Sequence, residues 1–267
     1  MPALNRKSAF AVVALVILSA CTSDLTVTSP ASERMSPLDA PSAAQSQSSA
    51  TTIRWSGYTW TVTNGAMAGG NTASASNVFV DSDGRLHLKI VKSGSKWTTA
   101  ELFTNDKLGF GTYQWQIEGR LDKLNKNVVL GLFPYGPKAG LGKDGENEID
   151  IEFSQFGSIF KDPGNWTIYS ASGKKKTHSF DFSLSGTYTT SRFNWSSSEI
   201  AFSLFGGFQK SSSNSNSLKS WKYAPSKPAD YIPQKALPLG MNLWLYESKP
   251  PTDGKNVEII IHSFTKS

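Results

Sequence analysis

Asn147-Glu148-Ile149-Asp150-Ile151-Glu152-Phe153 alternates carboxyl and apolar side chains without interruption. In an extended strand, successive side chains point to opposite faces. Glu148, Asp150 and Glu152 therefore share one face, and Ile149, Ile151 and Phe153 share the other, which reads as core. No Lys or Arg is interleaved to neutralise the acidic row. Three like charges in line raise the energy of the folded state, and structure alone gives no reason to put them there. A solvated acidic face is the plain structural alternative.

The same period-two pattern extends in both directions. Arg85-Leu86-His87-Leu88-Lys89-Ile90, Tyr113-Gln114-Trp115-Gln116-Ile117-Glu118 and Ile200-Ala201-Phe202-Ser203-Leu204-Phe205 all alternate, whereas helical periodicity is hard to find after residue 50. Val257-Glu258-Ile259-Ile260-Ile261-His262 reads as a mostly apolar, central strand. Turn signals separate these runs at Asp83-Gly84, Leu108-Gly109, Ser172-Gly173, Gly206-Gly207 and Asp253-Gly254. About a dozen or more short strands at regular spacing predict an all-β sandwich of two antiparallel sheets. Ser211 to Ser217 reads as a mobile polar loop between two of them.

Residues 1–20 are expected to lie outside this fold. Arg6 and Lys7 precede an apolar run, Ala9 to Ile17, of signal-peptide length. The run ends in Leu18-Ser19-Ala20-Cys21, which resembles the lipobox of bacterial lipoproteins. That resemblance implies lipidation at Cys21, and attachment to an envelope membrane without a spanning helix. The expected location is the bacterial cell envelope, at the outer membrane or cell surface, or secretion. Residues 21–50 are rich in Ser, Ala, Thr, Pro and Gln and contain no aromatic side chain, so they read as a flexible tether. Residues 51–267 are left as one β-sandwich domain.

Composition excludes several classes. The chain has 267 residues, 38% of them hydrophobic and 12% aromatic, which excludes compositional disorder for most of its length. One cysteine rules out an internal disulfide framework and a Cys-rich zinc module. His87, His178 and His262 are far apart in sequence, against a His-based metal site. The net charge of +6 is carried in short tracts such as Lys174-Lys175-Lys176, read as solvated turns. No aromatic–basic interleaving accompanies them, so no nucleic-acid partner is expected. No Gly-rich phosphate loop or Gly-x-Ser-x-Gly elbow occurs, so neither a nucleotide cofactor nor a serine nucleophile is implied.

An acidic strand does have a chemical use. Retaining glycoside hydrolysis needs a carboxylate nucleophile and a carboxylic acid about 5–5.5 Å apart across the scissile bond. Residues i and i+4 of a flat strand lie roughly 13 Å apart at Cα, from a ~3.3 Å rise. Two glutamates on a curved strand can converge over that gap. The middle aspartate can hydrogen-bond one of them, and crowding raises at least one pKa, keeping one group protonated.

Glu148-Ile149-Asp150-Ile151-Glu152-Phe153 resembles the signature of the family-16 glycoside hydrolases, in its uninterrupted lichenase and xyloglucan-transglycosylase form. The likeness spans about residues 58 to 264. Asp83-Gly84-Arg85-Leu86-His87-Leu88 and Leu108-Gly109-Phe110-Gly111-Thr112-Tyr113 look like the family's early strands, and Met241-Asn242-Leu243-Trp244 looks like a cleft-lining strand of lichenases. The resemblance implies a concanavalin-like β-jelly roll of two curved antiparallel sheets. It implies Glu148 as nucleophile, Asp150 as helper and Glu152 as general acid/base. It requires no cofactor and leaves room for a structural calcium ion.

Sugar rings have apolar faces and polar rims, so a cleft needs aromatic platforms with amide or hydroxyl partners. Trp244 is the expected platform, with Asn242 on the same strand face. Asn165 and Tyr169 fall where lichenases place sugar-contacting residues, and period two puts Trp166 on the opposite, core face. Glu101 falls where the family places a polar cleft residue, with a surface position as the alternative. One departure stands out: lichenases carry a tryptophan where this chain has Glu146. The preceding loop, Tyr135 to Gly145, is unusual in being rich in Gly and Lys, and Tyr135 is the candidate replacement platform.

The leading expectation is a retaining endo-β-glucanase acting on β-1,3/1,4-glucan or a related β-glucan, as a monomer, with a polysaccharide as partner. A transglycosylase with the same chemistry would differ in its acceptor subsites. A non-catalytic glucan-binding lipoprotein would put no constraint on the acids.

Overall fold

The structure, a computed structural model, describes residues 50–267. The expected export signal, Cys21 and the expected tether up to residue 49 lie outside the described residues. Among those described, no helix is long and apolar enough to cross a membrane.

Two large antiparallel sheets account for the fold. The first contains eight strands in the spatial order Thr52–Trp55, Tyr58–Val62, Ala100–Leu108, Leu237–Leu245, Val128–Pro134, Glu148–Phe153, Gly164–Tyr169 and Lys175–Phe180. The second runs from Ser217–Tyr223 through Ile200–Gly206, Tyr188–Trp195, Gly111–Glu118, Val257–Lys266 and Leu86–Ser93 to Val78–Val80. The architecture is the expected jelly-roll sandwich, with the closing apolar strand in the interior of its sheet.

Alternation decides which face is buried. Ile149, Ile151 and Phe153 are fully buried, as are Leu130, Leu132 and Leu243 on the neighbouring strands. They pack towards Trp115, Phe193, Phe202 and Ile261 of the second sheet in one continuous core. Trp166 joins that core at 1% exposure, stacked on Phe202 with ring centres 5.4 Å apart. Register is strongly fixed here, because a slip of one residue would turn all three carboxyls into the core. Phe153→Ala alone would cost about 3–5 kcal/mol through lost burial and the cavity left behind.

Two local expectations are corrected. Lys175 and Lys176 lie on the edge strand Lys175–Phe180 rather than in a turn. Exposed lysines on such an edge discourage pairing with another sheet. The Ser/Asn run is indeed a loop, but a pinned one. The buried guanidinium of Arg192 donates to Asn214 Oδ1 and to the carbonyls of Lys210 and Ser213, each at 3.0 Å.

Candidate active site

The outer face of the first sheet carries the acids. Cross-strand register sets Glu101, Asn242, Gly131, Glu152, Asn165 and Ser179 side by side on six adjacent strands. Further along, Glu148 pairs with Tyr169 and bridges to Tyr135. A cleft of about 460 Å³ opens over this face, lined by Glu148, Asp150 and Glu152 on one strand and by Trp244 and Asn242 two strands away.

Local sequence explains the start of the acidic strand. Asn147 takes a left-handed φ of 52°, a region that Asn tolerates better than most residues. Its carbonyl accepts from Gly136 N–H at 2.8 Å, and its Nδ2 donates to the Leu141 carbonyl at 3.1 Å. The loop 135–145 is thereby tied to the strand. Glu146 serves the same loop, with its Oε2 accepting from Lys143 N–H at 3.1 Å.

The three carboxyls share a desolvated setting. Asp150 is buried, and Glu148 and Glu152 are half-buried against the cleft. Burial, then the charge of Asp144, pushes Glu148 up to about 8, against the opposing effect of its hydrogen bond with Asp150. Burial and the two flanking glutamates hold Asp150 well above the usual carboxylate range. Burial lifts Glu152 to about 7, and Lys175 pulls it back in part. Three carboxyls this close titrate as one unit, so the row carries protons at neutral pH.

The structure brings most of the expected residues into one cleft. Trp244 and Asn242 line it, as do Tyr135, Tyr169 and Glu101. Glu101 is no surface residue, being 7% exposed. It accepts from Thr63 Oγ1 at 2.8 Å, and burial raises its pKa against Thr63, Lys138 and Asn242. Asn242 is buried, and among the described residues its Oδ1 accepts no hydrogen bond. Asn165 stands on the acidic face but faces a neighbouring groove, its amide held between the Ser154 carbonyl at 3.1 Å and Ser179 Oγ at 2.7 Å.

Phe103, Phe133, Lys138 and Asp144 also line the cleft, and none of them was singled out by sequence. Tyr135 donates from its hydroxyl to Asp144 Oδ1 at 2.8 Å and packs on Phe103 and Phe133, with ring centres 5.9 and 5.6 Å apart. Lys138 Nζ sits 4.6 Å above the Phe103 ring. The Glu-x-Phe spacing of Glu101 and Phe103 placed both on one strand face, a signal available in the sequence.

Five carboxyl side chains and one lysine line this cleft. Among the described residues, no group of three or more His, Cys, Asp or Glu side chains could hold a metal ion.

No protein-family model and no curated protein matches the chain. Solved structures do. A β-glucanase from Bacillus licheniformis matches with a TM-score of 0.57 at 22% identity, over 78% of this chain and 91% of that one. A β-1,3-1,4-glucanase (lichenase) from a mouse hindgut metagenome matches with a TM-score of 0.57 at 24% identity, over 78% and 92%. A β-1,3-glucanase from Mycobacterium marinum gives 0.58 at 17%, over 78% and 90%. The described chain shares the fold of these proteins.

Proposed function

We propose that this chain is a family-16 glycoside hydrolase: a retaining endo-β-glucanase that cleaves a neutral β-linked glucan, β-1,3/1,4-glucan being favoured, by double displacement. The observation that carries the reading is the row of three desolvated carboxyls, Glu148, Asp150 and Glu152, along one wall of an open cleft. The shared fold with β-glucanases supports it.

The row shares its protons as one unit, and the reactive arrangement is the one with Glu148 ionised and Glu152 protonated. Glu148 attacks the anomeric carbon, and the glycosidic C–O bond breaks as Glu152 gives its proton to the leaving oxygen. A glycosyl ester on Glu148 results. Glu152, now ionised, takes a proton from water, whose oxygen displaces Glu148 from the same carbon. Two inversions give net retention. Asp150, hydrogen-bonded to Glu148, shares the proton load of the row and orients the nucleophile. Trp244 would stack a sugar ring two strands from the acids, and Asn242 Oδ1 would accept from a ring hydroxyl.

Location belongs to the same proposal. The lipobox-like Leu18-Ser19-Ala20-Cys21 after an apolar run supports lipid attachment at the bacterial envelope.

The test is a panel of β-1,3/1,4-glucan, β-1,3-glucan, xyloglucan, agar and carrageenan, with wild type, Glu148→Gln and Glu152→Gln. A neutral β-glucan should be cleaved with retention, and each variant should lose on the order of 10²–10⁴ in rate. Glucan binding with no cleavage would sink the enzyme reading, and a Glu152→Gln variant as active as wild type on the glucan would sink the acid/base role of Glu152.

A further inference from the structure

The row of residues through Glu152 continues past the cleft. Glu152 pairs with Asn165, and Asn165 with Ser179 on the edge strand. The same outer face thus runs into a second hollow of about 410 Å³, floored by Asn165 and Ser179 and walled by Phe156, Phe160, Lys161 and Asp162.

That wall is one loop, residues 154–163, and it is braced throughout. Gln155 Nε2 donates to the carbonyls of Ile159 and Lys161, both at 3.2 Å. Lys161 Nζ donates to the Phe156 carbonyl at 3.3 Å. Phe156 holds a left-handed φ of 42°, a strained region for an aromatic residue, with its N–H bound to Ser154 Oγ at 2.9 Å. The Phe156 ring packs edge-on against Tyr246, 5.7 Å away. The braced loop holds Phe160 out in solvent at 93% exposure and Ile159 at 66%. Apolar surface held against the hydrophobic effect beside a polar-floored groove is the composition of a sugar platform.

Which part of a substrate would lie there follows from the two glutamates, and so rests on the glycosidase reading. The group that attacks the anomeric carbon must border the sugar that becomes attached, and Glu148 borders the cleft alone. The acid must reach the oxygen between two sugars, and Glu152, which lines the cleft, pairs in register with Asn165 on the groove floor. We propose that the groove over Asn165 and Ser179 binds the leaving-group side of a neutral β-glucan chain, with Phe160 as the platform under its first sugars. The same groove would seat an acceptor sugar when one replaces water.

The test uses the full chain, as wild type, Phe160→Ala and Phe160→Trp. Phe160 is almost wholly exposed, so its removal leaves the core untouched. Two substrates are compared: β-1,3/1,4-glucan, which fills both sides, and a nitrophenyl gluco-oligosaccharide, whose leaving group is no sugar. Phe160→Ala should lower kcat/KM on the glucan at least tenfold and leave the nitrophenyl substrate within twofold, and Phe160→Trp should keep both. Transfer to added cello-oligosaccharide should fall with the glucan rate. Equal losses on both substrates, or no loss on the glucan, would overturn the proposal. Retardation in a gel containing the glucan separates this inference from the enzyme reading. If wild type cleaves neither substrate, the enzyme reading fails. The groove then stands if Phe160→Ala is retarded less than wild type, and falls if the two migrate together.

Discussion

A Cβ on Gly131 would lie 2.5 Å from Oδ1 of Asn242, closer than such atoms approach in folded proteins. Gly131 sits between Asn242 and Glu152 in the strand register, so the missing side chain is what leaves the Asn242 amide its position beside the acid. The backbone at Gly131 is ordinary, and Gly131→Ala therefore acts through crowding, not φ. Overpacking of this kind costs about 1–3 kcal/mol, or roughly 2–12 °C in Tm for a domain of this size. We expect kcat/KM on the glucan to fall at least tenfold in Gly131→Ala, and also to fall in Asn242→Asp, which loses the amide donor to Glu101 and sets a second carboxyl beside it. Thermal melts with initial rates on both variants check this.

Raised carboxyl pKa values make the site a stability cost with a definite sign. Glu148 and Glu152 bind protons in the fold up to about 8 and about 7, whereas in the unfolded chain both lose them near 4.5. Between those limits the folded state holds more protons, so stability falls as pH rises. It is fully present below about pH 4.5 and lost through pH 7–8. Glu148→Gln and Glu152→Gln remove the cost. Each variant should melt close to wild type at pH 4.5 and about 3 °C or more above it at pH 8. A constant difference across that range would contradict the burial of the triad.

Asp144 is the group whose charge most raises Glu148 after burial itself. Tyr135 holds it, by a hydroxyl hydrogen bond of 2.8 Å, on the cleft side of the unusual loop. Removing that charge in Asp144→Asn lowers the proton affinity of Glu148. The acidic limb of the kcat/KM profile should move to lower pH by about half a unit or more, a shift worth roughly 0.7 kcal/mol. Tyr135→Ala should in addition raise KM for the glucan, because it removes a ring platform. An unchanged KM in Tyr135→Ala would end the platform role.

Period two made the acidic face legible, because the alternation of Glu148 to Phe153 assigns every side chain to a face. It also separated Trp166, which is core, from Tyr169, which is in the cleft. What alternation cannot supply is the partner strand. Phe103 and Phe133 lie on strands that are not adjacent, yet they meet on the outer face because Gly240, lying between them in register, has no side chain to hold them apart. Asp144 and Lys138 reach the cleft through a loop whose path is fixed by Asn147 and Glu146, contacts no periodicity encodes. The groove under Phe160 was invisible for the same reason. Its floor comes from two strands and its wall from the turn between strands, joined only once the register is set.

His178 sets the opposite pH limit. It lies on the edge strand of the first sheet, stacked between Trp166 at 5.9 Å and Trp221 of the second sheet at 5.2 Å, with interplanar angles of 16° and 13°. Its Nε2 is buried and has no hydrogen-bond partner among the described residues. Burial lowers its pKa, and the nearby Lys219 lowers it further. The unfolded chain takes up this proton at about 6.5, so stability is lost as pH falls below that value and is intact above it. His178→Phe keeps a flat ring in the stack and has no proton to gain. Its Tm relative to wild type should be higher at pH 5 than at pH 8, the reverse of the trend for Glu148→Gln. Combining the two substitutions should flatten the pH–Tm curve from both ends, since the sites lie on opposite faces of the first sheet and share no partner. A double variant with the same curvature as wild type would show that neither burial governs the acid–base stability of the fold.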